Sequence, residues 1–275
     1  MPRDLMSRIV NNMTSPGEAL VCIFQYIRRL VSFIIVVVLL HFVVLSRSVN
    51  MNMLLGSLLA VAGAARALSV PSLDAPACST GKGTVEYSKS VPDKGDFPTT
   101  QVDVCYDDTS IHINFTAYEE TNYYYNASQT TNEAIWQYEV MEAFLYHGTN
   151  DPQTYLEFEV NPNNVTFQAW IFNKSKVRAA SAPLDTSYLT QPLVDGLTAE
   201  TTLDKDAKTW VSSATIPLGL FNVDDGQAAG TQWRMNFFRT VVSPDTFPDQ
   251  LLGAWNPTNE SNFHMTPFFG QVNFV

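Results

Sequence analysis

The stretch from Trp136 to Phe172 constrains this chain more than any other, because apolar and polar residues alternate at period two around two short turns. The pattern predicts three consecutive antiparallel strands. Glycine and asparagine mark the first turn, His147 to Asp151, and Asn161-Pro162-Asn163-Asn164 marks the second. In the second strand Leu156, Phe158 and Val160 point one way, leaving Tyr155, Glu157 and Glu159 on the other face. In the third, Val165, Phe167, Ala169 and Ile171 form an apolar row, with Thr166, Gln168, Trp170 and Phe172 opposite. This reading puts Trp170 in the company of carboxylates and amides. An indole flanked by Gln168 and Glu157 offers an aromatic plane for a pyranose ring and polar groups for its hydroxyls; the alternative is packing under a loop or a second layer.

The 275 residues do not read as one folded unit. Leu30 to Leu45 is almost wholly apolar with Arg28, Arg29 and Arg47 at its edges, near the minimum for a membrane span. Met53 to Ala67 is a second, shorter apolar run that ends in Ala65-Arg66-Ala67, a small-x-small cleavage signature. The expected organisation is therefore translation from Met51 or Met53, with 1–50 an upstream gene-model extension, a signal peptide over 51–67 and a mature domain over 68–275, secreted to the extracellular space. The alternative is a signal anchor at 30–45, which would tether an extracellular domain to the membrane.

Over 68–275 ten basic residues face twenty-five acidic ones, a balance that argues against a nucleic-acid partner. That portion holds two cysteines, Cys78 and Cys105, and an even pair in an exported chain predicts a disulfide. Export is also indicated by sequons at Asn114, Asn126, Asn164, Asn173 and Asn259.

The remaining segments read as short strands between turns. Leu68 to Pro98 reads as an N-terminal segment held by Cys78. Gln101–Tyr106 and Ser110–Phe115 form a hairpin, Leu197–Leu203 and Thr209–Ile216 pair across another turn, and strands follow at Trp233–Val242 and Gly270–Val275. Pro217 to Phe221 reads as a single helical turn. Tyr118 to Asn132 is a tyrosine-rich loop whose Tyr124 is a candidate for lining a binding site. With nine or ten short strands and hardly any helix, the fold class is all-β, an antiparallel two-sheet sandwich of jelly-roll or immunoglobulin-like type.

Five groups of residues then occur in the order of a known pattern: Tyr138 to Glu142 with Tyr155 to Val160, Ile216-Pro217-Leu218, Trp233 to Arg239, Ala254 to Pro257, and Phe263 to Gly270. In these the chain resembles fungal secreted proteins of the family 9 carbohydrate-binding-module type, within the DOMON-like superfamily. The resemblance implies a β-sandwich that binds a polysaccharide or oligosaccharide of xylan or cellulose type, with two tryptophans clamping a terminal sugar and calcium as a structural ion. Trp170 and Trp255 are the pair placed in that role, with Glu157, Gln168, Asn236 and Tyr124 as candidate hydroxyl contacts. The wider superfamily also contains haem domains held by Met and His, for which Met141, Met235, Met265 and His112, His147, His264 would be the available ligands.

Two further expectations concern charge. Glu142 and Arg239 each continue a core-facing row and are read as a buried structural ion pair. Hydrolysis of a glycosidic bond would need two carboxylates about 5–9.5 Å apart across a cleft. Glu139, Glu142, Glu157 and Glu159 supply carboxylates, yet the reading assigns no catalytic residue. For calcium, the aspartates at the turns Asp107-Asp108, Asp204 to Asp206 and Asp224-Asp225 are oxygen donors without a loop motif.

Overall fold

The computed structural model describes residues 69–178 and 182–275. Both expectations for 1–50 and 51–67, and the anchor at 30–45, lie outside the described residues.

Two sheets stack face to face. The larger runs β1 (Ser72–Ala75), β13 (Gly270–Phe274), β11 (Gln232–Val241), β5 (Val140–His147), β6 (Thr154–Val160), β7 (Thr166–Phe172), β8 (Asp185–Tyr188), with β12 (Leu251–Ala254) also paired to β11. The smaller runs β2 (Gly83–Lys89), β3 (Asp96–Tyr106), β4 (Ser110–Ala117), β10 (Thr209–Pro217), β9 (Thr198–Asp204). Pairing is antiparallel except where β1 runs parallel to β13. The result is the expected β-sandwich, and its helical content among the described residues is limited to short 3-10 turns, one of them at Leu218–Phe221. The segment before Pro98 contains more than a tether: it supplies β1, β2 and the start of β3.

The core between the sheets follows from alternation. Val102, Val104, Ile111, Ile113, Phe115, Trp210 and Ile216 of the smaller sheet meet Met141, Leu145, Leu156, Phe158, Trp233, Met235 and Phe237 of the larger. Burying these side chains supplies the main stabilisation, on the order of 1.5–3 kcal/mol for each large one. Cys78 and Cys105 form the expected disulfide, fastening the segment after β1 to β3.

The larger sheet has a second apolar layer. On its outer face Val140, Phe144, Tyr155, Phe167, Ile171 and Phe238 are covered by Ile135, Phe263 and Phe269 from the connecting segments, with Phe263 stacked on Phe238 at 4.2 Å between ring centres. Consequently β5, β6 and β11 are buried on both faces.

Register corrects the expected ion pair. Glu142 lies opposite Phe238 in the β5–β11 ladder, whereas Arg239 lies opposite Met141, so the two side chains leave the sheet on different faces. Arg239 points between the sheets and pairs instead with Glu120 of the loop after β4, Nη2 to Oε2 2.8 Å, both side chains being 1% exposed. Its Nη1 also donates to the Tyr118 carbonyl and the Thr100 hydroxyl, while Glu120 Oε1 accepts from the backbone N–H groups of Asn122 and Tyr123. The pair thus binds β11 to the tyrosine-rich loop.

Candidate functional site

The outer layer is incomplete, and a cavity of about 470 Å³ opens where it is missing. Its floor is the outer face of β5, β6 and β7. Glu142, Glu157 and Glu159 project from it beside Phe167 and Ile171, with Thr240 of β11 and Leu252 of β12 adjoining. The wall is formed by Arg178 and Leu184 of the connection between β7 and β8, and by Asn262, Phe263 and His264 of the segment before β13.

The strand pairing brings the carboxylates together. Glu142 is the cross-strand partner of Glu159, and Glu157 lies two residues before Glu159 on the same face. Carboxylate oxygens of all three lie within 4.8 Å of one another, and none of the three residues is more than 6% exposed. Burial pushes their protons on: Glu157 is raised to about 7, with Glu159 and Arg178 pulling the other way, while Glu142 and Glu159 are raised well above the usual carboxylate range. Among the described residues Glu159 Oε2 is buried without a hydrogen-bond partner.

His264 is the neutral member of the wall. Burial, reinforced by Arg178, lowers it to about 3, and its Nδ1 sits 2.6 Å from the Tyr155 hydroxyl. With the phenol donating to Nδ1, the remaining ring proton belongs on Nε2.

Aromatic side chains stand at the rim. Trp136, on the 3-10 turn Ile135–Gln137, is 42% exposed, and Tyr188 of β8 is 46% exposed. Both line the cavity, and both meet Phe167 edge to face, at 5.2 and 5.6 Å. Gln250 Nε2 donates to the Trp136 carbonyl at 2.6 Å and so ties the turn to the segment before β12. Exposed rings over an acidic floor can stack on an apolar ring face while the carboxyl groups hydrogen-bond its polar substituents.

Of the residues expected to contact sugar, Glu157 lines the cavity. Trp170 and Trp255 do not. Residues opposite each other in a ladder share a face, and Trp170 is opposite Leu156, not a glutamate. It therefore turns to the inner side, edge to face with Phe221 at 5.5 Å. Trp255 packs 5.7 Å from Phe237 and lies so close over Gly270 that a side chain there would collide with the indole. Gln168 is buried on the inner side and donates to Asn132. Asn236 holds the backbone of Asn256 through both ends of its amide. Tyr124 packs against Tyr138 and Phe247.

The other expectations divide similarly. Asp107 Oδ1 is taken by the backbone N–H groups of Thr109 and Ser110, and Asp204 Oδ1 by those of Asp206 and Ala207. These two oxygens thus serve the backbone of their own turns. The three glutamates are the oxygen-rich group among the described residues that could hold a divalent ion. Met141 and Met235 face the inner core while His264 faces the cavity, so these three candidate haem ligands do not converge on one site. The Asn173 sequon conflicts with its setting: the side chain is 2% exposed and its amide donates to the His264 carbonyl at 2.6 Å, leaving no room for a glycan. Asn126 is half-buried, and Asn164 and Asn259 are exposed.

Sheet order and cavity together define a β-sandwich with a lateral recess on its larger sheet. The family model for carbohydrate-binding family 9 matches residues 83–274, and the chain belongs to that family. A protein of Arthroderma benhamiae named as an extracellular protein is 47% identical over 205 residues, 74% of this chain and 91% of its own length. The crystal structure of a candidate carbohydrate-binding protein from Bacteroides uniformis matches with a TM-score of 0.58 at 16% identity, over 75% of this chain and all of its own. A family 9 module from Caldicellulosiruptor kristjanssonii in complex with cellotriose aligns at a TM-score of 0.49 and 13% identity, over 74% of this chain and 93% of its own.

Proposed function

We propose that this chain is an exported carbohydrate-binding module that takes an oligosaccharide or polysaccharide end in the cavity on the outer face of its larger sheet. The carrying observation is the placing of the exposed rings of Trp136 and Tyr188 at the rim of a recess floored by three carboxyl groups. Family membership supports the ligand class. Export is supported by the disulfide and by the extracellular naming of the Arthroderma relative.

In this reading the rings stack on sugar C–H faces, His264 Nε2 and the protonated glutamates donate hydrogen bonds to hydroxyl oxygens, and the apolar floor residues exclude water. Calorimetric titration with cello- and xylo-oligosaccharides tests it. Trp136→Ala or Tyr188→Ala is expected to weaken binding about tenfold, the loss of roughly 1.4 kcal/mol of stacking. Trp170→Ala should lower the melting temperature and leave affinity unchanged. Full binding in the Trp136 and Tyr188 variants with loss in Trp170→Ala would refute the assignment of the cavity.

A further inference from the structure

The three buried glutamates are poorly explained by neutral sugar alone. Each sugar hydroxyl can meet a carboxyl group but brings no positive charge, and the cluster presents three carboxyl groups with a Glu159 oxygen that has no partner among the described residues beyond the adjacent Glu157 carboxyl. Such a group is expensive to bury unless a donor or a positive charge meets it.

No Lys or Arg pairs with any of the three among the described residues, whose ion pairs lie elsewhere. Arg178 is the cation of the cavity wall; its charge favours the ionised form of Glu157 without an ion pair being formed, and its Nε donates to the Ala182 carbonyl. The other titratable groups of the enclosure are Tyr155, Tyr188 and the neutral His264.

We propose that the cavity selects a saccharide carrying a free amino group, a glucosamine-type unit, whose ammonium is held by Glu142, Glu157 and Glu159 beneath the rings of Trp136 and Tyr188. The proposal rests on the saccharide reading of the same cavity and adds the charge of its ligand. An ammonium has three N–H donors in tetrahedral array, and oxygens accepting them at about 2.8 Å stand roughly 4.6 Å apart. The observed limit of 4.8 Å accommodates that geometry. A bare divalent ion would fit the oxygens too, but it makes no use of the exposed rings or of the recess of about 470 Å³ above them.

Ionisation follows from burial. Burial favours the protonated form of all three glutamates, for Glu157 up to a pH of about 7. An incoming ammonium favours the carboxylate form, so binding releases protons to the buffer below that pH.

The test is calorimetry on the full chain at pH 6 in about 0.15 M salt, with the trimers of glucosamine, N-acetylglucosamine and glucose, and with calcium chloride alone. The expected result is at least tenfold tighter binding of the glucosamine trimer than of either neutral trimer, with a heat that changes with buffer ionisation enthalpy. Glu159→Gln and, independently, Glu142→Gln should remove that preference, bringing the glucosamine trimer to the affinity that the same variant shows for the neutral trimers. Equal affinity for all three trimers overturns the amino-sugar proposal and leaves the saccharide reading standing. A preference that persists in both variants overturns it as general attraction of a polycation to an acidic protein. Calcium binding lost in both variants, with no preference among the sugars, overturns it in favour of an ion site. No heat with any sugar overturns both readings.

Discussion

The two faces of the larger sheet bury charge in opposite ways. On the inner face Arg239 and Glu120 neutralise each other and are held by backbone groups, with Arg239 Nε unmet among the described residues. On the outer face Glu142, Glu157 and Glu159 crowd together with a Glu159 oxygen unmet among the described residues. A neutralised pair is what a structural charge in a core requires; an acidic cluster with no cation paired to it, at the floor of a recess, is a stability liability that a ligand can relieve. The difference separates scaffold from site more sharply than any residue type does.

Breaking the inner pair should have the largest effect. Arg239→Met strands the Glu120 carboxylate, and denaturant unfolding is expected to show a loss of about 3–5 kcal/mol, partly recovered in the double variant with Glu120→Gln, which removes the charge and keeps the acceptor for Asn122 and Tyr123. Replacing both Cys78 and Cys105 by Ser, remote from the cavity, should cost about 2–4 kcal/mol while saccharide affinity is unchanged. A fall in affinity equal to that seen on altering the rim would show that the faces are not independent.

The outer cluster should respond with the opposite sign. Between about 4.5 and 7 the folded chain retains the Glu157 proton that the unfolded chain gives up, so this group's contribution to stability is present below 4.5 and is lost as pH rises. Glu157→Gln removes the liability and should stabilise the ligand-free domain by about 3 kcal/mol at pH 8, with little change at pH 4.5, at about 1.4 kcal/mol for each pKa unit. Thermal melts across that pH range check it. A destabilised variant at pH 8 would mean that the cluster is already neutralised.

Alternation around two turns was enough to find β5, β6 and β7 and, with the later hairpins, the sandwich. It also identified the face that Glu157 and Glu159 share. It failed on which face meets the other sheet. Leu156 and Phe158 form the inner row as expected, but the apolar row Phe167, Ala169 and Ile171 lies on the outer side because a second layer of loops buries it. With both faces of a strand buried, an apolar row no longer reports which side the other sheet lies on, and Trp170 was placed among the wrong neighbours. Trp136 was not singled out because its place at the cavity rim depends on a 3-10 turn standing over Phe167, a contact that no local period encodes. Glu120 was hidden for the same reason: its partner Arg239 is 119 residues away.

The most direct measurement is the crystal structure of the domain with a bound trisaccharide. The account predicts sugar density against Trp136 and Tyr188, with a polar substituent within hydrogen-bond distance of Glu142, Glu157 or Glu159. Density stacked on Trp170 beside Phe221, with the glutamate recess empty, would contradict it.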